Sequence, residues 1–419
     1  MKILLLTPQF PYPPEQGTSL RNYFILRGLK LDHEVCLLSN IELNTESQTL
    51  AELPDISLIG TVPIPRRSNK RRFAQIITSK QADMALRLRN DEFEALLVHE
   101  LVAASKFTGN SKPYDIVQIE GIELAHLIPT IRQFSPQSKI VYDAHNAETN
   151  LQRRALLADT SRLSRWPAAA YSWIQVRRLH TYETWVCQKA DWITVVSDED
   201  LHHLRELVPG LQATVIPNCI NVEDYQQDTN GSDNGIAKEF DLLFTGKMDY
   251  RPNIDAVLWF AQKVWPIIHQ ARPKTTWAIV GQKPHNRIKH LSKFEGIKIT
   301  GWVQKIPPYM KGSKVYIMPF RVGSGTRFKL IEAMAASKAV VSTSLGCEGF
   351  PLVDGQDLLI EDEPQGFAQA VVRLLDQPEE RSRLGQAAQR LAADYDWRVV
   401  IPKFNDVYQA LLNLNVQEE

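Results

Sequence analysis

Hydrophobic residues along this chain fall into short, continuous, β-branched runs. Nearly every run is followed by a loop bearing glycine, proline or small polar residues and then by a stretch of good helix formers. Short apolar runs bounded by turn residues read as strands buried on both faces, the habit of parallel sheets. Lys2–Thr7 (KILLLT) is the first, and a proline-rich loop over Pro8–Gly17 leads into a helix over Ser19–Lys30. Glu34–Leu38, Tyr114–Gln118, Lys139–Tyr142 and Trp192–Val196 continue the series, and Val215–Asn218 closes this half. The rhythm restarts with strands at Asp241–Thr245, Thr276–Val280, Ile297–Thr300, around Val315, at Ala339–Thr343 and at Leu358–Ile360. Helices are predicted over Ile254–Gln270, Phe328–Ala336, Pro364–Leu375, Pro378–Ala393 and Trp397–Leu414.

Strand–helix alternation in both halves predicts an α/β protein of two Rossmann-like domains, each with a parallel sheet, facing a cleft. A polar, turn-rich segment, Gln226–Lys238, separates the halves without any repeat. The expected division is 1–220, 221–395 and a terminal helical segment, 396–419. A chain of 419 residues is long enough for two cores. Its 44% hydrophobic and 23% charged content is ordinary for a globular enzyme, and its zero net charge gives no argument for nucleic acid. Four widely spaced cysteines show no metal spacing, and the expectation is a reduced, cytoplasmic compartment. No apolar run reaches the roughly 18 residues needed to span a bilayer. The leading MKILLL is too short for a signal peptide and is read as a strand.

The chemistry concentrates after the Val315 run, where Pro319 breaks the strand and RVGSGTR passes into the Phe328 helix. Gly323 and Gly325 let the backbone approach a ligand closely. The first helical turn offers unpaired N–H groups to an anion, and Arg327 and Lys329 add positive charge there. Glu332, three residues beyond Lys329, shares its helix face and accepts hydrogen bonds from hydroxyls. Phosphate and hydroxyls in one site describe a sugar nucleotide. For the loop alone, the alternative of a simple chain turn carries about equal weight, as does local backbone capping for His145 in the loop after KIVY. Asp198-x-Asp200 imitates a metal-binding pair, but Ser-Asp-Glu-Asp opening a helix is what N-capping favours, so no metal is expected there. Residues 64–72 form the densest basic cluster, read either as a solvated face or, through residues 66–72, as a surface for anionic lipid.

Taken together, FTGKMDYRPNIDAVLWF, VGQ, TGWV, MPFRVGSGTRFKLIEAMAASKAVVST and GCEG, with YDAHN, VVS and VIPN earlier, resemble the GT-B retaining glycosyltransferases of family 4. The resemblance covers nearly the whole chain and is strongest over Asp241–Trp397. It implies a nucleoside diphosphate sugar as co-substrate, bound mainly by the C-terminal domain, with no further cofactor. The acceptor side lies in the N-terminal domain, for a carbohydrate or lipid-linked acceptor, and the last helix packs back on that domain. Glu332 matches the second glutamate of the family's E-x7-E element, while Ser324 stands where the first belongs. Lys247 matches a phosphate-binding basic residue, and Asn253 replaces the lysine six positions on. This fits a sub-group with a G-x-G-T-R-x-K loop. Gly17 and Thr18 match the loop near the donor phosphates, and His145 a histidine that contacts the transferred sugar. Gly246, Gly301, Val303, Gly323, Ser324, Gly325, Thr326, Lys329 and Glu332 complete the implied donor site, with His145, Lys247 and Arg327 in the catalytic roles.

The reaction so implied is metal-independent hexosyl transfer with retention, in envelope glycan, exopolysaccharide or glycolipid assembly, at the inner face of a membrane. The competing readings are a GT-B-like epimerase or phosphorylase and a non-catalytic sugar-nucleotide binder.

Overall fold

The computed structural model describes residues 1–14, 17–42, 56–68, 74–75, 78–108, 113–160, 166–226, 239–323 and 325–413. Within them the chain divides into two units, Met1–Asn218 with Val400–Glu419, and Cys219–Val399.

In the first unit the apolar runs form β1 (Lys2–Thr7), β2 (Glu34–Ile41), β3 (Ser57–Pro63), β4 (Ile116–Glu120), β5 (Lys139–Ala144), β6 (Trp192–Val195) and β7 (Ala213–Val215). They pair in the order β3-β2-β1-β4-β5-β6-β7, every pair parallel. The sheet reverses direction of growth between β1 and β4, so the loops after these strands are where a doubly wound sheet places its ligands. Leu4, Leu6, Val117, Ile119 and Tyr142 lie in its buried core. The edge strand β3 was not legible in the sequence: ISLIGTVP is interrupted by Gly60, and most of the strand is only partly buried.

The second unit repeats the plan with β8 (Phe240–Thr245), β9 (Trp277–Val280), β10 (Ile297–Gly301), β11 (Ser313–Met318), β12 (Ala339–Ser342) and β13 (Leu359–Ile360). The order is β10-β9-β8-β11-β12-β13, again parallel throughout. Phe260 packs edge-on against Trp277 with centroids 4.7 Å apart, and Phe367 joins it at 5.8 Å. The helix expected over Ile254–Gln270 starts earlier, at Arg251, with Pro252 in its first turn, and widens into a π-turn over Phe260–Val264. Pro266 has no N–H to donate backwards, and the wider turn absorbs that loss. Likewise Trp397–Leu414 is not one helix but two, Trp397–Val400 and Pro402–Asn413, because Pro402 breaks the ladder. Gly17 and Thr18, expected in a loop, are the first residues of the Gly17–Leu29 helix.

The terminal Pro402–Asn413 helix belongs to the first unit. Gly28 lies so close to it that an added Cβ would fall 2.4 Å from Ile401 Cγ2. Deep in the same packing, the Tyr408 hydroxyl donates to Gln118 Oε1, and both residues are fully buried. Tyr408→Phe leaves that acceptor unsatisfied. Urea unfolding should report a loss of about 1–2 kcal/mol, and an unchanged midpoint would mean that the bond is not what holds the helix.

Candidate functional site

In the second unit the carboxyl ends of the central strands are drawn together by glycines. Gly246 N–H donates to Val280 O at 3.0 Å, and Gly281 N–H to Gly301 O at 3.1 Å. Gly246 and Gly281 both have φ of +151°, and a Cβ on Gly281 would sit 1.7 Å from the Gly246 carbonyl oxygen. Beyond β8, the Lys247 carbonyl accepts from Asn253 Nδ2 at 2.8 Å and from Tyr250 N–H at 3.2 Å, which folds the loop into the following helix. The Lys247 ammonium has no ion-pair or hydrogen-bond partner among the described residues.

Lys329 reaches back across this edge. Its Nζ donates to Thr245 O at 2.8 Å and to Asn253 Oδ1 at 2.9 Å, and lies 4.8 and 4.9 Å from the Phe244 and Phe320 ring centres. A Cβ on Gly246 would be 2.7 Å from Nζ, so only glycine leaves room. Two of the three ammonium protons are used, which leaves one for a ligand. Burial among aromatic rings lowers its pKa to about 7, and the Arg327 charge adds to the effect. Asn253 therefore anchors a lysine that arrives from a different helix.

The Phe328–Ala335 helix begins at Arg327, whose side chain makes no capping bond; Leu330 N–H donates to Arg327 O at 2.9 Å, and the Phe328 and Lys329 N–H groups stay open to an anion. Arg327 instead turns back, donating to Gly325 O at 3.2 Å and lying 4.6 Å from the Phe320 ring centre. Burial raises the pKa of Glu332, while the Tyr225 hydroxyl and Lys329 pull it the other way. Tyr225, invisible as a site residue in the sequence, thus marks where a hydroxyl meets this carboxylate.

In the first unit His145 stands just past β5. Its Nε2 is 3.0 Å from Glu120 Oε2 and 3.6 Å from Asp143 Oδ2. Arg21 clamps Asp143 with two bonds, Nε to Oδ2 at 2.6 Å and an Nη to Oδ1 at 2.8 Å, and its other donors reach Ile216 O and Pro217 O, both at 3.1 Å. Burial alone would raise the Asp143 carboxyl, yet Arg21 carries it down to about 2. Glu120 shifts the opposite way, well above the carboxylate range, because it is buried and faces the Asp143 charge. Burial also lowers the His145 pKa and keeps the ring neutral. Glu120, Asp143 and His145 offer atoms within 4.8 Å of one another, a spacing that a cation could bridge. The guanidinium already sits on both Asp143 oxygens, so the donor set fits Arg21 and not an ion.

The structure thus gathers Gly246, Lys247, Gly301, Gly323, Gly325, Arg327, Lys329 and Glu332 at or after the carboxyl ends of the second sheet, and Val303 follows β10. Thr326 immediately precedes the Arg327 cap, and Ser324 lies outside the described residues. Gly17, Thr18 and His145 belong to the first unit. Asp200 N–H donates to Ser197 Oγ at 3.1 Å, and Asp200 Oδ1 takes Ala147 N–H at 2.8 Å, so the Asp198-x-Asp200 pair serves helix capping and loop anchoring. Of the basic cluster, Arg67 is tied to Asp83 at 2.7 Å, and residues 69–73 lie outside the described residues. No described helix is long and apolar enough to cross a membrane. Sequence reasoning missed Arg21, Glu120 and Tyr225. Glu120 at the end of a buried run was the available signal.

Residues 239–377 match the family Glycosyl transferases group 1. That stretch runs from the start of β8 to the Pro364–Asp376 helix and includes Lys329, its partners and Glu332, but not Tyr225. A phosphatidyl-myo-inositol mannosyltransferase of Mycolicibacterium smegmatis is 27% identical over 214 residues, 50% of this chain and 54% of that protein. The matches span only 36% to 60% of the length of the first curated relatives. Two solved structures share the fold of nearly the whole chain. Sucrose-phosphate synthase from Thermosynechococcus elongatus has a TM-score of 0.68 at 15% identity, over 99% of this chain and 100% of that one. Anabaena HepE, in complex with UDP and glucose, has a TM-score of 0.64 at 15% identity, over 98% and 100%. The architecture is therefore that of GT-B glycosyltransferases, two parallel-sheet Rossmann-like domains.

The Lys329 environment gives a signed expectation. Its folded pKa, about 7, lies below the ordinary 10.5, so between these values the unfolded chain binds a proton that the folded chain releases. Stability at this position rises with pH across that window and is lost as pH falls towards 7. Lys329→Met removes the difference: denaturant midpoints at pH 7 and 9 should separate less in the variant than in the parent chain. Equal separation would place Lys329 in water.

Proposed function

We propose that this protein is a glycosyltransferase that moves a hexosyl group from a nucleoside diphosphate sugar to an acceptor hydroxyl, with retention and without a divalent metal. The observation that carries this reading is the pairing on one helix of an anion-seeking mouth with a hydroxyl acceptor. The open N–H groups of Phe328 and Lys329, with the Lys329 ammonium, face negative charge, and Glu332, beside Tyr225, faces hydroxyls. A diphosphate joined to a ribose meets both demands. The family match over 239–377 and the UDP and glucose held by HepE support it.

In the reaction, the bond between the anomeric carbon and the diphosphate oxygen breaks as negative charge gathers on that oxygen. Lys247, Arg327, Lys329 and the helix N–H groups stabilise that charge electrostatically. The acceptor oxygen bonds to the anomeric carbon on the face the diphosphate leaves, and its proton passes to the departing phosphate oxygen. This internal return needs no carboxylate nucleophile at position 324, where the chain has serine. His145 contacts the transferred sugar. The acceptor class is a carbohydrate or lipid-linked hydroxyl of a cell-envelope glycan, exopolysaccharide or glycolipid, a choice supported by the lipid named for the mycobacterial relative.

A thermal-shift screen against nucleoside diphosphate sugars, with and without EDTA, tests the reading. One donor should raise the melting temperature by mass action, equally in both conditions. Glu332→Ala should weaken that donor's binding about tenfold and leave the fold of the free protein intact. If no donor shifts the transition, the transferase reading falls; a shift abolished by EDTA would overturn metal independence.

A further inference from the structure

The first unit contains a buried relay that the proposed reaction does not by itself require. Glu120 is fully buried at the end of β4, and its two oxygens have different neighbours. Oε1 takes a hydrogen bond from Gln118 Nε2 at 2.5 Å, and Gln118 in turn accepts from Tyr408. Oε2 faces His145 Nε2 at 3.0 Å. Because Gln118 donates to Oε1, that oxygen is the carbonyl of the protonated carboxyl, and the hydroxyl is at Oε2. Its proton points to the ionised partner, Asp143, which Arg21 keeps charged. Oε2 is then left as an acceptor towards the imidazole, so His145 donates through Nε2. The Nδ1 atom carries a lone pair. It has no partner among the described residues and is not sealed from solvent, and it is 3.6 Å from where a Cβ on Gly121 would lie.

We infer that Glu120, through its hydrogen bond to Nε2, is the positioning residue that keeps His145 in one tautomer, with Nδ1 a bare acceptor for a ligand hydroxyl. As a statement about sugar recognition this rests on the reading above; as a statement about the imidazole it does not. The titratable and charged groups around the pair are Asp143 from β5, Arg21 from the first helix, Glu123 from the turn after β4 and Tyr408 from the terminal helix. Arg21 opposes protonation of the ring, and Asp143 and Glu123 favour it, while burial keeps it neutral. A neutral imidazole with a free Nδ1 selects a group that donates, a sugar hydroxyl, and rejects a carbonyl or phosphate oxygen at this position.

The test is the nitrogen spectrum of the full chain labelled on its 10 histidines, with the His145 signal identified by its loss in His145→Gln. At pH 7 the inference expects Nε2 protonated and Nδ1 bare. Glu120→Gln reverses the pattern: its carbonyl takes the place facing Gln118, so its amide group donates to both Asp143 and His145 Nε2. The ring proton must then move to Nδ1. A wild-type ring protonated on Nδ1, or on both nitrogens, overturns the inference, as does a tautomer that Glu120→Gln leaves unchanged. If the variant does not fold, the wild-type spectrum still decides. UDP and UDP-glucose serve as binding probes. Glu120→Gln should hold UDP as the parent does and lose UDP-glucose about tenfold, and equal loss of both would reduce Glu120 to a structural role. If the parent chain binds neither probe nor any other nucleoside diphosphate sugar, the transferase reading fails while the spectrum still judges the tautomer.

Discussion

No side chain fits between the ends of β8 and β9. The Gly246 carbonyl oxygen lies 1.7 Å from where a Cβ of residue 281 would be, and the ammonium of Lys329 lies 2.7 Å from where a Cβ of residue 246 would be. This close approach of bare backbone decides what the second sheet can do. It brings the carbonyl of Thr245 within 2.8 Å of Nζ, so a lysine launched from the helix after β11 is anchored at the end of β8. It also leaves the strand ends shallow, with the N–H groups and carbonyls at the rim of the sheet instead of under side chains. A parallel sheet always directs its strand ends and helix N-termini to one edge. Here glycine turns that general property into a surface that a diphosphate can approach.

The first unit solves a different electrostatic problem. Two buried carboxyls and a partly buried imidazole stand at adjacent strand ends, and three charges in so small a volume would be strongly unfavourable. One cation settles the arrangement. Arg21, presented by the first helix, neutralises Asp143 with a two-pronged clamp and directs its remaining donors to the 216 and 217 carbonyls and Asn218 Oδ1. Once Asp143 is the ion, Glu120 must keep its proton and His145 must stay neutral. The protonation pattern is thus a consequence of where a single guanidinium sits. The same network ties the first helix, two central strands, the 216–217 segment and the terminal helix together, and so links the state of the imidazole to the packing of the unit.

Much of this was legible in the sequence because strand runs buried on both faces have a plain signature. KILLLT, DLLFT and TWAIV could hardly be anything else, and the helix after RVGSGTR followed from composition alone. What was illegible has physical causes. Strand β3 is partly exposed and holds Gly60, so its pattern is diluted. The breaks at 260–264 and at Pro402 arise from single missing N–H groups inside otherwise helical sequence. Arg21 was not singled out in the sequence, because its partners are 122 to 197 residues away in the chain. Spacing cannot reveal a contact that only the topology of the sheet creates. Tyr225 escaped notice for the same reason, since its partner Glu332 is far along the chain.

Asn253 shows how a departure from a familiar pattern can be a relocation. Read alone, an asparagine where a lysine is expected looks like lost charge. In the structure its carbonyl oxygen holds Lys329, and its amide holds the Lys247 loop. The positive charge is still at the end of β8, but it arrives from the helix after the neighbouring strand β11. This changes its chemistry as well as its origin. A lysine at 253 would start from the first turn of the helix after β8, whereas Lys329 comes from the helix after β11, is pressed against Phe244 and Phe320 and gives its proton up near neutral pH. A dianionic ligand placed against it would restore the charge, so anion binding and protonation are coupled at this point. The asparagine and the lysine are therefore one device. Neither makes sense without the other, and reverting either residue alone leaves a buried donor or a buried charge without its partner.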